Sequence, residues 1–327
     1  MSTSRPVPIT RKQVAAFLKP RAKDSHKGLF GTVTVIGGAS GTVGAALLAG
    51  RAALKLGAGC VHVGLLADNA PVVDVIQPEL MLHSAGDALK IIPLPPKAPL
   101  SNSDGTTSHS TKPASGQVAG YLPLAGEGAN AKSNFNLGVL VVGCGLGQSL
   151  PAQKLLYDAL RLDVPLVLDA DALNLIALRP DLRGMLHDRK SPSVFTPHPG
   201  EAARLLACST EDIQADRAGA ARKLAQKLGG SVVLKGAGSL CATTDGKLHL
   251  NQTGNPGMSA AGMGDVLSGM IAAFIAQGLS ADEALLLAVH LHGAAGDELA
   301  QQQATIGMSA TEVTEWARWL LNRIAPN

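Results

Sequence analysis

The chain has 327 residues, with 28 Lys+Arg against 25 Asp+Glu, a net charge of +3. Hydrophobic residues make up 46% and charged residues 16%, below the ~25% of ordinary soluble domains. These values exclude a charge-driven disordered chain. With no dense Lys/Arg run, two Trp, two Tyr and five Phe, the chain offers neither the electrostatic footprint nor the stacking platforms of a nucleic-acid binder. Cys60, Cys144, Cys208 and Cys241 form no C-x-x-C pair, so reduced thiols are expected rather than a zinc site or a disulfide framework. The N-terminal stretch lacks the apolar core of a signal peptide. No apolar run approaches the ~20 residues that span a bilayer. The expectation is a cytoplasmic protein with no nucleic-acid partner and no membrane partner.

In chain order, Gly31 to Gly38 reads as a strand ending in a glycine turn, and Gly44 to Ala58 as a small-residue helix. Cys60 to Leu65, Leu137 to Gly143, Pro165 to Ala170, Ser193 to Thr196 and Ser231 to Lys235 read as further short strands. Their apolarity is continuous rather than alternating, which fits strands covered on both faces in a mostly parallel sheet. Cys241 to Leu250 contains Thr244-Asp245-Gly246, a hairpin turn. Ser280 with Glu283, and Ser309 with Glu312, form capping boxes ahead of two C-terminal helices. The second carries Trp316 and Trp319 on one face, a pair suited to core or subunit packing. The whole is an α/β fold with helices on both faces of the sheet. Length alone, at ~150 residues per domain, suggests two domains, but single α/β domains run longer. One domain over 1–327 is expected, with a flexible surface insertion at 93–134, where Pro, Ser, Gly, Asn and Thr dominate.

Six turns carry residues suited to chemistry. Gly37-Gly38-Ala39-Ser40-Gly41 links a strand to a helix, where backbone amides can approach an anion. It is neither a P-loop nor a Rossmann fingerprint, and a packing turn is an equal reading. Gly143-Cys144-Gly145-Leu146-Gly147 is a second glycine-rich strand end. Asp169 and Asp171 close the strand PLVLDAD, at the sheet edge where open α/β folds bind ligands. Asp171 is favoured as a helix N-cap and Asp169 as a positioning carboxylate. Thr196-Pro197-His198-Pro199-Gly200-Glu201 is a stiff turn that presents His198, with Glu201 opening a helix. Lys235-Gly236-Ala237-Gly238-Ser239 combines a cation with exposed amides, as phosphate contact requires. Gly262-Met263-Gly264-Asp265 opens a helix whose dipole favours an anion. Asp265 there is placed to accept a hydroxyl proton beside a phosphoryl group. His290 and His292, two apart on a helix, point to different faces and form no metal pair.

Taken together with His26-Lys27-Gly28, Gly44-Ala45-Ala46, Leu168 to Asn174 and Asn255-Pro256-Gly257, these motifs resemble the NAD(P)H-hydrate dehydratase family of the ribokinase-like superfamily. The resemblance runs over roughly residues 14 to 325, apart from 93–134. It implies ADP-dependent dehydration of (6S)-NADHX and NADPHX to NADH and NADPH, with release of AMP and phosphate. ADP would be the co-substrate and Mg²⁺ the cofactor, in a homo-oligomer, commonly a tetramer. The stretch before Lys27 leaves no room for the hydrate epimerase domain fused to many members, so epimerisation would fall to another protein.

Residue by residue, the resemblance makes Asp265 catalytic and puts Ala45, Gly145, Gly147, His198 and Asp265 against the hydrate. It puts Lys235, Gly236, Ala237, Gly238, Ser239 and Gly264 against the nucleotide, and links Glu201 to Mg²⁺ through water. Three positions depart from the family pattern. Cys144 stands where proline is usual, Met263 where threonine is usual, and Ser239 for threonine. Two other readings stay open: an ATP-dependent small-molecule kinase of the same superfamily, and a non-catalytic nucleotide-binding regulator.

Overall fold

The computed structural model describes residues 5–94 and 138–325. The insertion expected at 93–134 therefore lies almost wholly outside the described residues. Ten strands form one sheet: β1 (Val7–Pro8), β2 (Thr32–Gly37), β3 (Cys60–Leu65), β4 (Met81–Ser84), β5 (Gly138–Val142), β6 (Leu166–Leu168), β7 (Ser193–Phe195), β8 (Ser231–Leu234), β9 (Leu240–Ala242) and β10 (Leu248–Leu250). Their order across the sheet is β1-β10-β9-β8-β7-β6-β5-β2-β3-β4. From β4 to β8 every pairing is parallel, whereas β9 is antiparallel to both its neighbours. The β9–β10 turn is the expected hairpin, closed by the Gly246 amide on the Thr243 carbonyl at 3.0 Å.

The helices are α1 (Arg11–Ala15), α2 (Val43–Lys55), α3 (Ala85–Lys90), α4 (Leu150–Leu160), α5 (Ala170–Leu178), α6 (Pro180–His187), α7 (Pro199–Leu206), α8 (Thr210–Ala215), α9 (Arg217–Leu228), α10 (Met263–Ala276), α11 (Ala281–Gln302) and α12 (Ala310–Ile324). Strand residues alternate between two cores. Val33, Val35, Val139, Val141, Val167, Val194 and Val233 face one, with α2, α10, α11 and α12. Ile36, Leu140, Val142, Leu166, Leu168, Phe195 and Leu234 face the other, with α3 to α7 and α9. Both faces are covered, so both residue parities must be apolar, and that is why the strands read as continuous runs.

Ser280 and Glu283 cap α11, and Ser309 and Glu312 cap α12, as reciprocal capping boxes. α2 and α10 meet backbone to backbone at Gly269, where a Cβ would lie 2.1 Å from the Ala49 carbonyl oxygen. Trp316 and Trp319 stack edge to face with centroids 5.2 Å apart. The four cysteines are free thiols. Among the described residues, no helix is long and apolar enough to cross a membrane.

The strand order reverses between β2 and β5: the chain leaves β2 toward β3 on one side and continues from β5 toward β6 on the other. The loops leaving these two strands lie at the carboxyl edge of the sheet, at the switch point where such folds bind ligands.

Candidate active site

Five strand ends converge on this edge. The loops after β2 and β5 are tied together: the Gly38 amide donates to the Cys144 carbonyl at 3.0 Å and the Ala39 amide to the Gly145 carbonyl at 2.7 Å. The Thr42 hydroxyl adds a bond to the Gly145 carbonyl at 2.8 Å. Gly145 has φ +60°, and a Cβ there would strike the Thr42 carbonyl oxygen at 2.5 Å and the Ala45 methyl at 3.0 Å. Ala45 and Gly145 are thus packed against each other at this edge. Gly147 is held from the next strand end, its amide donating to Asp171 Oδ2 at 2.8 Å.

That bond corrects the reading of Asp171 as a helix cap. Asp169 occupies the N-cap position of α5 and makes no side-chain cap bond, while Asp171 lies inside the first turn. Asp169 instead turns inward. At 1% exposure it binds Lys235 Nζ through Oδ1 at 2.8 Å and the Ser268 hydroxyl through Oδ2 at 2.9 Å. Burial alone would raise its carboxyl, but the Lys235 charge and these hydrogen bonds hold it below the ordinary range. Burial would likewise lower Lys235, but Asp169 and Glu201 outweigh it and keep the ammonium charged. Ala170, next to Asp169, sits at φ +47°, a strained left-handed conformation for a residue with a Cβ.

Asp265 stands in the first turn of α10, whose N-cap is Gly262 with no side-chain cap bond. The first amides of this 14-residue helix therefore remain available to an anion. Gly264 is required by space: a Cβ there would lie 3.0 Å from Lys235 Nζ and 3.4 Å from Asp169 Oδ2. The Asp265 carboxyl is pushed up to about 7, first by burial and then by the Asp169 charge, with the Cys144 thiol and Lys235 pulling the other way. A carboxyl poised near neutrality, beside an anion-binding helix end, has the properties of a general base. The ligand atoms of Cys144, Asp169 and Asp265 lie within 4.8 Å of one another. A thiol and a carboxylate already neutralised by lysine suit a hard cation such as Mg²⁺ poorly.

His198 caps α7. Its Nδ1 accepts from the amides of Gly200 at 3.0 Å and Glu201 at 3.4 Å, which places its proton on Nε2, 3.2 Å from Glu201 Oε1. Glu201 returns the bond through Oε2 to the His198 amide at 2.8 Å, completing a capping box. The imidazole is half exposed, while Glu201 is buried at 4%. Burial pushes the Glu201 carboxyl up to about 7, opposed by Lys235. A buried oxygen donor so undercompensated is the chemistry that welcomes a divalent cation or its water shell nearby. Glu201 is not part of the Cys144–Asp169–Asp265 cluster.

Lys235, Gly236, Ala237, Gly238, Ser239 and Gly264 all line one cavity of about 660 Å³. Its other wall is the 251–259 segment laid on α11. The Asn251 amide nitrogen donates to the Val289 carbonyl at 3.3 Å, and the Thr253 hydroxyl to the His290 carbonyl at 2.9 Å. Asp297 accepts from the Gly254 amide at 2.8 Å and from Asn255 Nδ2 at 3.1 Å. Arg217 braces the opposite side, its guanidinium reaching the carbonyls of Leu234, Lys235 and Gly238. His292 lines the cavity and is driven down to about 4, mainly by burial, so it is neutral at physiological pH. Met263 is 7% exposed, packs with the core and also lines this cavity, so the departure at that position alters the wall beside the helix start.

Sequence reading did not single out Arg217, Ser268, Asp297 or a lining role for His292. Ser268 sits one helical turn after Asp265 and could have been found by that spacing. Arg217 and Asp297 act on backbone, and only the tertiary contact reveals them.

The family model described as NAD(P)H-hydrate dehydratase matches residues 33–318. The bifunctional NAD(P)H-hydrate repair enzyme Nnr of Escherichia coli K12 is 39% identical over 314 residues, which are 96% of this chain and 52% of the relative. The chain thus spans about half the length of that relative. The ADP-dependent (S)-NAD(P)H-hydrate dehydratase of Neisseria meningitidis is 37% identical over 310 residues, covering 94% of this chain and 90% of the relative. The crystal structure of the Bacillus subtilis ADP/ATP-dependent NAD(P)H-hydrate dehydratase, co-crystallized with ATP/Mg²⁺, superposes with a TM-score of 0.75. It is 28% identical, and the match covers 99% of this chain and 100% of that one.

Proposed function

Because the chain belongs to the NAD(P)H-hydrate dehydratase family, we propose that it restores NADH and NADPH from their (6S)-hydrates, consuming ADP and releasing AMP and phosphate. The observation that carries this reading is the placement of Asp265. A carboxyl tuned near neutrality sits at an uncapped helix start, directly after Met263 and Gly264, which line the cavity bearing Lys235.

In the proposed sequence, the nucleotide occupies the cavity lined by Lys235 to Ser239 and Gly264. Ala45, Gly145, Gly147 and His198 hold the hydrate at the carboxyl edge of the sheet. Asp265 takes the proton of the hydrate's hydroxyl, whose oxygen forms a bond to the terminal phosphorus of ADP as the bond to the AMP oxygen breaks. The amides of Gly262 to Asp265 stabilise the charge that develops on the transferring group. Loss of phosphate, pushed by the ring-nitrogen lone pair, and of the adjacent ring proton then restores the double bond. Glu201 fits a water-mediated contact to Mg²⁺, which would supply charge neutralisation at the nucleotide phosphates. The solved Bacillus subtilis relative was crystallized with ATP/Mg²⁺, which supports this part of the reading.

The test follows reduced-nicotinamide absorbance from NADH hydrate with ADP, ATP or no nucleotide. Recovery with ADP and stoichiometric AMP is the expected result. Recovery with ATP alone would overturn the donor assignment. Asp265→Asn should lower turnover by about 10²–10⁴-fold, the range for loss of a general base, and undiminished turnover would remove Asp265 from the mechanism.

A further inference from the structure

Cys144 is the residue at which this chain leaves its family's proline, and it lies at the centre of the site. The side chain is fully buried, and its backbone is pinned by the Gly38 amide at 3.0 Å. Its sulfur lies within 4.8 Å of both the Asp169 and the Asp265 carboxylates. The two Asp169 oxygens are already engaged, one by Lys235 and the other by Ser268. The thiol and the Asp265 carboxyl are thus buried neighbours, and the thiol pulls that carboxyl down against the effect of burial.

We propose that Cys144 is a positioning residue for Asp265: its thiol donates a hydrogen bond that orients the carboxylate and favours its ionised, proton-accepting form. The proposal rests on Asp265 being the base. Four other features bear on that carboxylate. Asp169 from the end of β6 and Asp171 from α5 oppose its ionisation, Lys235 from the end of β8 favours it, and burial on α10 opposes it. Lys235 is held by Asp169 at 2.8 Å, while the thiol lies within 4.8 Å of the Asp265 carboxylate. The thiol remains a donor because burial, reinforced by the charges of Asp265 and Asp169, keeps it protonated. A proline at this position would supply no donor, so the thiol adds an adjustment of the base beyond the family pattern.

The experiment compares the pH profile of kcat/KM, which reports the free enzyme's groups, for the wild type, Cys144→Ser and Cys144→Ala. Without a donor, the acidic limb should move to higher pH by about half a unit, roughly a threefold loss on that limb. Serine keeps a donor, so its limb should stay at or below the wild-type position. A packing role predicts the opposite order, because a hydroxyl in an apolar site is worse tolerated than a methyl.

Coincident limbs in all three proteins, or serine displaced further than alanine, would overturn the proposal. If the alanine variant does not fold, the infrared S–H stretch answers. A band present in wild type and shifted to higher frequency in Asp265→Asn supports the bond, and an unshifted band refutes it. Full turnover in Asp265→Asn would instead remove the base on which the proposal stands, so the two failures are distinguishable.

Discussion

Lys235 shows how one side chain can serve stability and ligand binding together. Its ammonium compensates Asp169, which is 98% removed from solvent at the side chain, and it also lines the cavity proposed for the nucleotide. Lys235→Met should therefore do two things. It should leave a buried carboxylate without its cation, at a cost of about 3 kcal/mol in urea denaturation at neutral pH. It should also weaken ADP binding in calorimetry. The stability loss should shrink in acid. Asp169 has a depressed folded value, so its contribution is present above the unfolded value near 3.9 and is lost as pH falls through the lower folded one. A variant equally destabilised at pH 7 and pH 3 would contradict this. At this scale the sequence was legible for residues that act by type and position. Asp265 at a helix start and Lys235 ahead of a glycine turn both lie where expected. Asp169 turns inward, in keeping with its reading as a positioning carboxylate, whereas Asp171 caps no helix and holds the Gly147 amide instead. Which of the two turns inward depends on Lys235, 66 residues away.

Between elements, the wall of the cavity depends on how closely the 251–259 segment lies on α11. Gly293 makes this approach possible: a Cβ there would sit 2.3 Å from the Thr253 hydroxyl and 2.7 Å from its backbone. Gly293→Ala should push the segment outward, disturb the Asp297 bonds to Gly254 and Asn255, and raise KM for ADP several-fold while changing kcat less. Its overpacking cost should be about 1–3 kcal/mol, read from the denaturation midpoint. An unchanged KM would show that the wall does not touch the nucleotide.

Periodicity exposed the central elements. β3 was bounded correctly from its residues, and both C-terminal capping boxes stand where Ser280 and Ser309 placed them. The edge strands β1 and β4 were not legible. Each has a partly exposed pattern and takes its conformation from a neighbour's ladder rather than from its own residues. The helix capped by Ser280 runs from Ala281 to Gln302, and buried Gly293 and Gly296 within it let the loop segment approach.

At the scale of the whole molecule, the parallel sheet gathers its strand ends at one edge and so brings Asp169, Glu201 and Asp265 close to a single lysine. One cation cannot compensate three carboxylates. It is committed to Asp169, and the Asp265 and Glu201 carboxyls are both pushed up to about 7, chiefly by burial. A carboxyl whose folded value lies above its unfolded value binds more protons in the native state between the two. Stability then falls as pH rises from about 4 to about 7, and the full cost is present above 7. The site is thus held at the expense of the fold, in the pH range where the proposed base must be ionised. Asp265→Asn removes the ionisation and keeps the shape. It should be more stable than the wild type at pH 8, by about 2 kcal/mol after allowance for relaxation around the charge. At pH 5, where the wild-type carboxyl is protonated in the fold but ionised in the unfolded chain, the gain should shrink to less than half. Parallel denaturation curves at the two pH values decide the matter. A difference that is constant between pH 5 and pH 8 would mean that the Asp265 carboxyl ionises in the fold as readily as in the unfolded chain, and the argument for a tuned base would lose its energetic support.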